Sequence, residues 1–222
     1  MVDHPTVVVR GEAVREIPPD LATLSVTVFA RDRDRQAALA RLAERSAAIR
    51  AVLDGFAEAV ERLETGGVSL RPELKRTGER VSAYAGSVTT TVVVTDFTVL
   101  GDLLLRLADQ AQTSVTGPWW TLRPGSRAGA EVRQAAITDA LDRAREYAAA
   151  VGARLDRLLE IADEGTGGGA AGMMRQAFGM AAVADTSAVE LDVDPQLQTV
   201  SASVLVRFSM TEPTVLRSTP GG

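Results

Sequence analysis

Gly167, Gly169 and Gly172 stand at G-x-G-x-x-G spacing within LLEIADEGTGGGAAGMMRQAFGMAA, residues 158–182. In that pattern one glycine makes a tight turn, one lets the backbone approach a pyrophosphate, and one lets a helix lie close to the preceding strand. The chemistry would be dinucleotide binding, with Glu190 or Asp192, about 20 residues on, as the acid that holds a ribose hydroxyl. Such a fingerprint belongs at the opening of a βαβ unit in a parallel sheet. Here it comes late in the chain, and a single convincing strand follows it. Glycine and alanine fill most of residues 165–172, so the expected reading is a chance match inside a connection to the last strand. Small-molecule or nucleotide binding through Gly167, Gly169 and Gly172 is the alternative.

Other catalytic arrangements lack their parts. His4 is the single histidine and there is no cysteine, which removes a Ser-His-Asp triad, thiolate chemistry and multi-histidine or cysteine metal sites. Neither a G-x-S-x-G elbow nor a Gly-Lys-Ser/Thr phosphate loop occurs. Carboxylates abound, but nothing in their spacing selects an acid and base pair. The expectation is a non-enzymatic chain with no cofactor, no metal and no catalytic residue.

Contact chemistry is better represented. Met173, Met174, Phe178 and Met180 are apolar residues in a long connection, where polar side chains are the rule. They could cap the chain's own core, dock on a neighbouring subunit or soft partner, or capture a ligand. Trp119 and Trp120, adjacent on an expected strand, must face opposite ways, so one can be core while the other needs a cover. An exposed tryptophan is a reasonable interface anchor. Together these residues make a homo-oligomer or a protein partner the expected mode of action. ARDRDRQ, residues 30–36, reads as a solvated helix start with local ion pairs, with an anion site of Arg31, Arg33 and Arg35 as the alternative.

The elements that must position these groups follow from periodicity. Residues 21–30 alternate Ala22, Leu24, Val26, Val28 and Ala30 with Thr23, Ser25 and Thr27, and residues 199–210 alternate in the same way, so both are strands with one covered face. Leu39, Leu42, Ile49, Leu53 and Phe56 put one apolar stripe on a helix from about Asp34. Strands are expected near residues 6–15, 68–70, 81–95, 114–124 and 155–162, and helices from Asp96 to about Ala111 and from Arg127 to Val151. In the last, Ala136, Ala140, Ala144 and Ala148 recur at four-residue steps, and Gly152 stops it. The order β-β-α-β-β-α-β-α-β-β predicts an α+β fold of two layers, helices on an antiparallel or mixed sheet. One domain is expected over residues 1–212, divisible into about 1–95 with 196–212 and about 96–195, before a frayed tail at 213–222.

A hydrophobic fraction of 45% is enough to build a core, and a net charge of −5 gives no surface for neutralising phosphates, so nucleic acid is not an expected partner. No apolar run reaches the roughly 20 residues that span a bilayer. The opening MVDHPTVVVRGEAV lacks a basic segment followed by an apolar core, which predicts a cytoplasmic chain, periplasmic or envelope-located only where a leader has been removed.

VVVRGEAVREIPPDLATLSVTV resembles the opening of SIMPL-domain proteins: a strand with a central glycine, a turn ending in Pro-Asp, then an Ala-x-Leu-x-Val strand. AITDALDRAREYAAAVGARLDRLLEIAD is similar to that family's alanine-spaced helix entering a strand through a glycine. TVVVTD and the terminal VSASVLVRFSM fall where such proteins have theirs. The resemblance spans about Thr6 to Thr211. It implies a SIMPL-like fold more than an activity; bacterial relatives are often exported to the envelope, have been linked to stress responses, and lack an established catalytic mechanism.

Overall fold

A strand that alternates apolar with hydroxyl-bearing side chains can bury only one face, so each sheet built from such strands requires a helix on one side and none on the other. The computed structural model describes residues 4–75, 78, 80–164 and 191–215, and it meets that requirement twice. In chain order the elements are β1 (Thr6–Ile17), β2 (Leu21–Asp32), α1 (Arg35–Asp54), β3 (Val60–Leu74), β4 (Val81–Val94), a 3-10 turn (Phe97–Val99) running into α2 (Leu100–Ala108), β5 (Thr113–Thr121), α3 (Arg127–Ala150), β6 (Leu155–Asp163) and β7 (Gln198–Met210). That is the order expected from the sequence. The class is α+β, and every strand pair is antiparallel.

Two units divide the chain. The first holds β1, α3, β6 and β7, in a sheet ordered β1-β7-β6. Its helix can sit low because the contact is made of the smallest side chains. Ala136, Ala140, Ala144 and Ala148 are all buried, and a β-carbon built on Gly11 of β1 would run into the Ala136 carbonyl and the Ala140 methyl. Gly152 ends α3 in the left-handed conformation at φ +68°. Its N–H donates to the Ala149 carbonyl at 2.9 Å and that of Ala153 to the Ala148 carbonyl at 2.8 Å, the paired bonds of a Schellman stop.

The second unit holds β2 to β5 with α1 and α2, in a sheet ordered β3-β4-β2-β5. Its core is built from branched residues instead. Leu24, Val26, Val92 and Val94 from the sheet meet Leu53 of α1 and Leu100, Leu103 and Leu107 of α2, all fully buried. Asp34 caps α1 by accepting the Ala37 N–H at 2.8 Å, which is why the helix begins where the sequence places it.

Three departures from the expected elements have physical causes. The strand expected at residues 68–70 runs from Val60 to Leu74. Its added residues are mostly exposed and mainly charged or glycine, with Val60 and Leu63 three apart and three register shifts against β4, so no sustained period-two pattern reveals them; pairing with β4 forms the strand. Leu39 lies off the buried stripe of α1 at 43% exposure, and Ala38 takes its place, in line with Leu42, Ile49 and Leu53. The helix after Asp96 starts as a 3-10 turn and stops at Ala108, short of Ala111.

The close seat of α3 makes a direct test. Gly11→Ala is expected to lower the unfolding free energy by about 2 to 3 kcal/mol, read from urea denaturation, because the backbone of a packed helix has to move. Gly67→Ala, at a strand position with nothing within 4 Å of the added carbon, is the control and should change stability by less than about 0.5 kcal/mol. A Gly11→Ala variant as stable as its parent would mean that the helix does not seat there.

Candidate interaction surface

Acid–base catalysis would need charged side chains poised for proton transfer. Asp32, Glu61 and Asp96 are all held below the usual carboxylate range. Asp32 is lowered first by the Asp34 N–H, which donates to it at 3.0 Å, and then by the Arg41 guanidinium, at 2.9 Å. Asp96 is lowered by the Thr98 hydroxyl, 2.6 Å away, and the Thr98 N–H. Glu61 takes both terminal nitrogens of Arg123, at 2.9 and 2.6 Å, and Arg123 is raised in turn. The backbone N–H partners of Asp32 and Asp96 lie at helix starts, Arg123 ties Glu61 to a distant segment of the chain, and the downward direction keeps each carboxylate ionised near neutrality, as in a structural group. In ARDRDRQ the same holds: Arg31 pairs with Glu73 at 2.8 Å, Asp32 with Arg41, and Asp34 caps α1. Among the described residues no cluster of three or more His, Cys, Asp or Glu side chains could hold a metal ion, and no helix is long and apolar enough to cross a membrane.

β5 separates the two tryptophans as adjacency on a strand requires. Gly117, at φ +113°, and a cis Gly117–Pro118 bond interrupt the ladder to β2. Beyond them Trp120 pairs with Ala22 on the covered face, where its ring meets Phe97 edge to face at 4.9 Å. Trp119 pairs with Thr23 on the opposite face and is 42% exposed. That face carries no described helix of its unit. Its rows run Arg62, Val93, Thr23, Trp119, then Glu64, Thr91, Ser25, Thr116, then Gly67, Thr89, Thr27, Ser114, with the Thr27 and Thr89 hydroxyls 3.0 Å apart. Phe29, 44% exposed, lies six residues along β2 from Thr23, about 20 Å away. The result is a hydroxyl-rich sheet surface with an exposed aromatic ring near each end.

A cavity lies on the helix side of the same sheet. α1 covers β2 and β4 but stops short of β3, leaving a cavity of about 300 Å³ between Ser46, Ile49, Arg50 and Leu53 of the helix and Leu63, Thr65, Val88 and Thr90 of the sheet. The Ser46 hydroxyl is buried there without a hydrogen-bond partner. An orphaned polar atom of that kind costs about 1 to 3 kcal/mol unless something answers it.

Gly167, Gly169 and Gly172 lie outside the described residues, as do Met173, Met174, Phe178, Met180 and Glu190. Of the expected contact residues, the structure therefore places Trp119 on an open face and Trp120 half-buried against the core. The hydroxyl rows flanking Trp119 were legible as strand alternation, but only the register shows that they lie side by side. Nothing in the local sequence marks Ser46, since a serine within a helix is ordinary.

The three lowered carboxylates carry a pH dependence of definite sign. Each folded-state value lies below the ordinary 3.8 or 4.5, so their stabilisation is complete above about pH 4.5 and is lost as pH falls through the lower folded values. The stability difference between the parent and Asp96→Asn, measured by urea denaturation, should be widest near neutrality and close toward acid; a gap constant down to about pH 2 would contradict the assignment.

No curated protein matches the chain. Residues 7–208 match SIMPL, described as a protein of unknown function (DUF541). That span takes in every helix and all but the outermost residues of β1 and β7, the alanine-spaced helix and the terminal alternating strand among them. With that match over most of its 222 residues, the chain belongs to the SIMPL family.

Proposed function

We propose that the chain is a non-enzymatic binding domain that acts by self-assembly or by docking a protein partner, in the stress- or envelope-related setting that the family resemblance suggests. One observation carries this reading: Trp119 stands 42% exposed on a sheet face that no described helix of its unit covers. Trp119 stands on the edge strand beside Thr23, next to the rows of Ser and Thr hydroxyls, and a tryptophan there offers large apolar area with little conformational entropy to lose, the profile of an interface anchor. The downward-shifted carboxylates point the same way, toward a scaffold held in place by ion pairs and caps.

A second reading draws support from the cavity at Ser46. Its apolar floor, free hydroxyl and rim arginine, Arg50, suit a small amphipathic molecule, and small-molecule or nucleotide binding is the competing class that the glycine trio raised.

Light scattering at micromolar concentration tests the first reading. The parent should exceed monomer mass or bind a partner that Trp119→Ala no longer binds, with affinity reduced about thirtyfold as for a tryptophan hot spot. A strict monomer whose contacts are indifferent to Trp119 would sink it. A thermal-shift panel of nucleotides, dinucleotides and short amphipathic acids tests the second, since a ligand at 100 times its dissociation constant adds roughly 2.7 kcal/mol; no shift across the panel removes it.

A further inference from the structure

Four strands border the two sheets among the described residues, and three of them are spoiled for pairing with another chain. β3 breaks register three times and contains Pro72. β5 is interrupted near Gly117–Pro118, and β6 shifts twice against β7. Bulges and prolines are the usual means of blunting an edge. β1 has neither: it pairs with β7 without a shift from Thr6 to Ile17.

Which groups that edge presents follows from two hydrogen bonds. The Pro5 carbonyl accepts the Met210 N–H at 2.9 Å, whereas the Glu12 N–H points away from β7 and donates to Asp139 Oδ2 at 3.0 Å. Odd-numbered residues of β1 thus turn their backbone groups toward β7, and even-numbered residues turn theirs to the open side. The even-numbered side chains also share the face away from α3. Among them Val8 is 45% and Val14 57% exposed, with Arg10 and Glu12 between them.

This row is complementary to itself. Laid antiparallel on a second copy about a two-fold axis through Gly11, Val8 faces Val14, Arg10 faces Glu12, Thr6 faces Glu16 and Val9 faces Ala13, each pair occurring twice. Centring the axis on Arg10 or Glu12 instead would set like charges against each other. Centring it between residues would put apolar and polar faces on opposite sides of the sheet. We propose that β1 is a docking edge for a second copy of this chain, through an antiparallel β1–β1 pair centred on Gly11 that joins two three-stranded sheets into one.

Two side chains guard the edge in the single chain. Asp139, which also pairs with Arg143 at 3.1 Å, holds the Glu12 N–H, and Arg15 donates to the Val14 carbonyl at 3.1 Å. On pairing, the Arg10 carbonyl of the second copy takes over from Asp139 and the Val8 N–H of the second copy takes over from Arg15. Association is therefore an exchange of hydrogen bonds plus the gain of the Val8–Val14 and Arg10–Glu12 contacts, which makes it reversible and dependent on concentration.

The proposal shares with the reading above only the idea of self-assembly; its surface is distinct from that of Trp119. Sedimentation equilibrium on the full chain, with unfolding midpoints measured in parallel, separates the two. The parent should form a reversible dimer. Val14→Pro, which removes an edge-facing N–H and leaves the β7 ladder intact, should be monomeric. Arg10→Glu should weaken the dimer about tenfold, and Arg10→Glu with Glu12→Arg should restore it, because the cross-strand charges again oppose. Asp139→Ala should tighten it by freeing the Glu12 N–H. Arg10 also pairs with Glu164 at 3.0 Å, so restoration by the double exchange is the decisive arm. A dimer that survives Val14→Pro, or a double exchange that fails to restore, overturns the proposal. Loss of the dimer on Trp119→Ala with none on Val14→Pro overturns it too, while upholding the β5 face as the contact. A chain monomeric in every variant overturns it and leaves Trp119 to a different protein.

Discussion

The first unit depends on how closely α3 can approach β1. In a close-packed interior the side chains at the contact set how near a helix lies to a sheet, and the nearest approach is open only where neither surface carries a branched side chain there. Gly11 on the strand and the alanine line on the helix supply that absence. The consequences spread outward from it. With Ala140 seated over Gly11, the preceding residue, Asp139, lies within reach of the Glu12 N–H at the rim of the sheet. The same seat leaves Val8, Arg10, Glu12 and Val14 on the far face. One packing decision therefore sets both the core of the unit and the character of its outer strand.

The second unit solves the same problem with bulk. Three leucines of α2 and Leu53 of α1 fill the covered face of its sheet, and small residues are kept for single points such as Ala22 and Ala30. Burying branched side chains contributes roughly 1.5 to 3 kcal/mol each, so this face needs no unusually close approach. Its other face is free to be polar, and the threonine and serine rows on β2 and β4 fill it. Trp119 stands out there against the rows of hydroxyl groups, with Phe29 the exposed ring toward the other end.

Much of the framework was legible before any coordinates. Strict alternation in residues 21–30 and 199–210 identified half-covered strands, Asp34 and Gly152 marked the ends of helices, and the adjacency of Trp119 and Trp120 required them to part. These signals are local: a cap, a left-handed glycine and a period of two each depend on a few neighbouring residues. β3 was largely invisible for the complementary reason. From Val60 to Gly67 its apolar residues, Val60 and Leu63, are three apart among charged residues, Thr65 and two glycines, so they show no period of two, and the hydrogen bonds that make the segment a strand belong to β4. The orphaned hydroxyl of Ser46 was equally hidden, since its burial depends on where α1 stops relative to β3.

The sequence by itself determined the class of the fold, the order of its elements and the family, because these rest on residue types and short-range spacing. Tertiary structure decided what faces what. That Trp119 rather than Trp120 is the open ring follows from the register of β5 on β2. That the chain forms two sheets, with β1 carried across to β7 almost two hundred residues later, follows from pairing between distant segments. Long-range pairing is chosen by the whole set of faces that must be buried at once, and no stretch of sequence contains that choice alone.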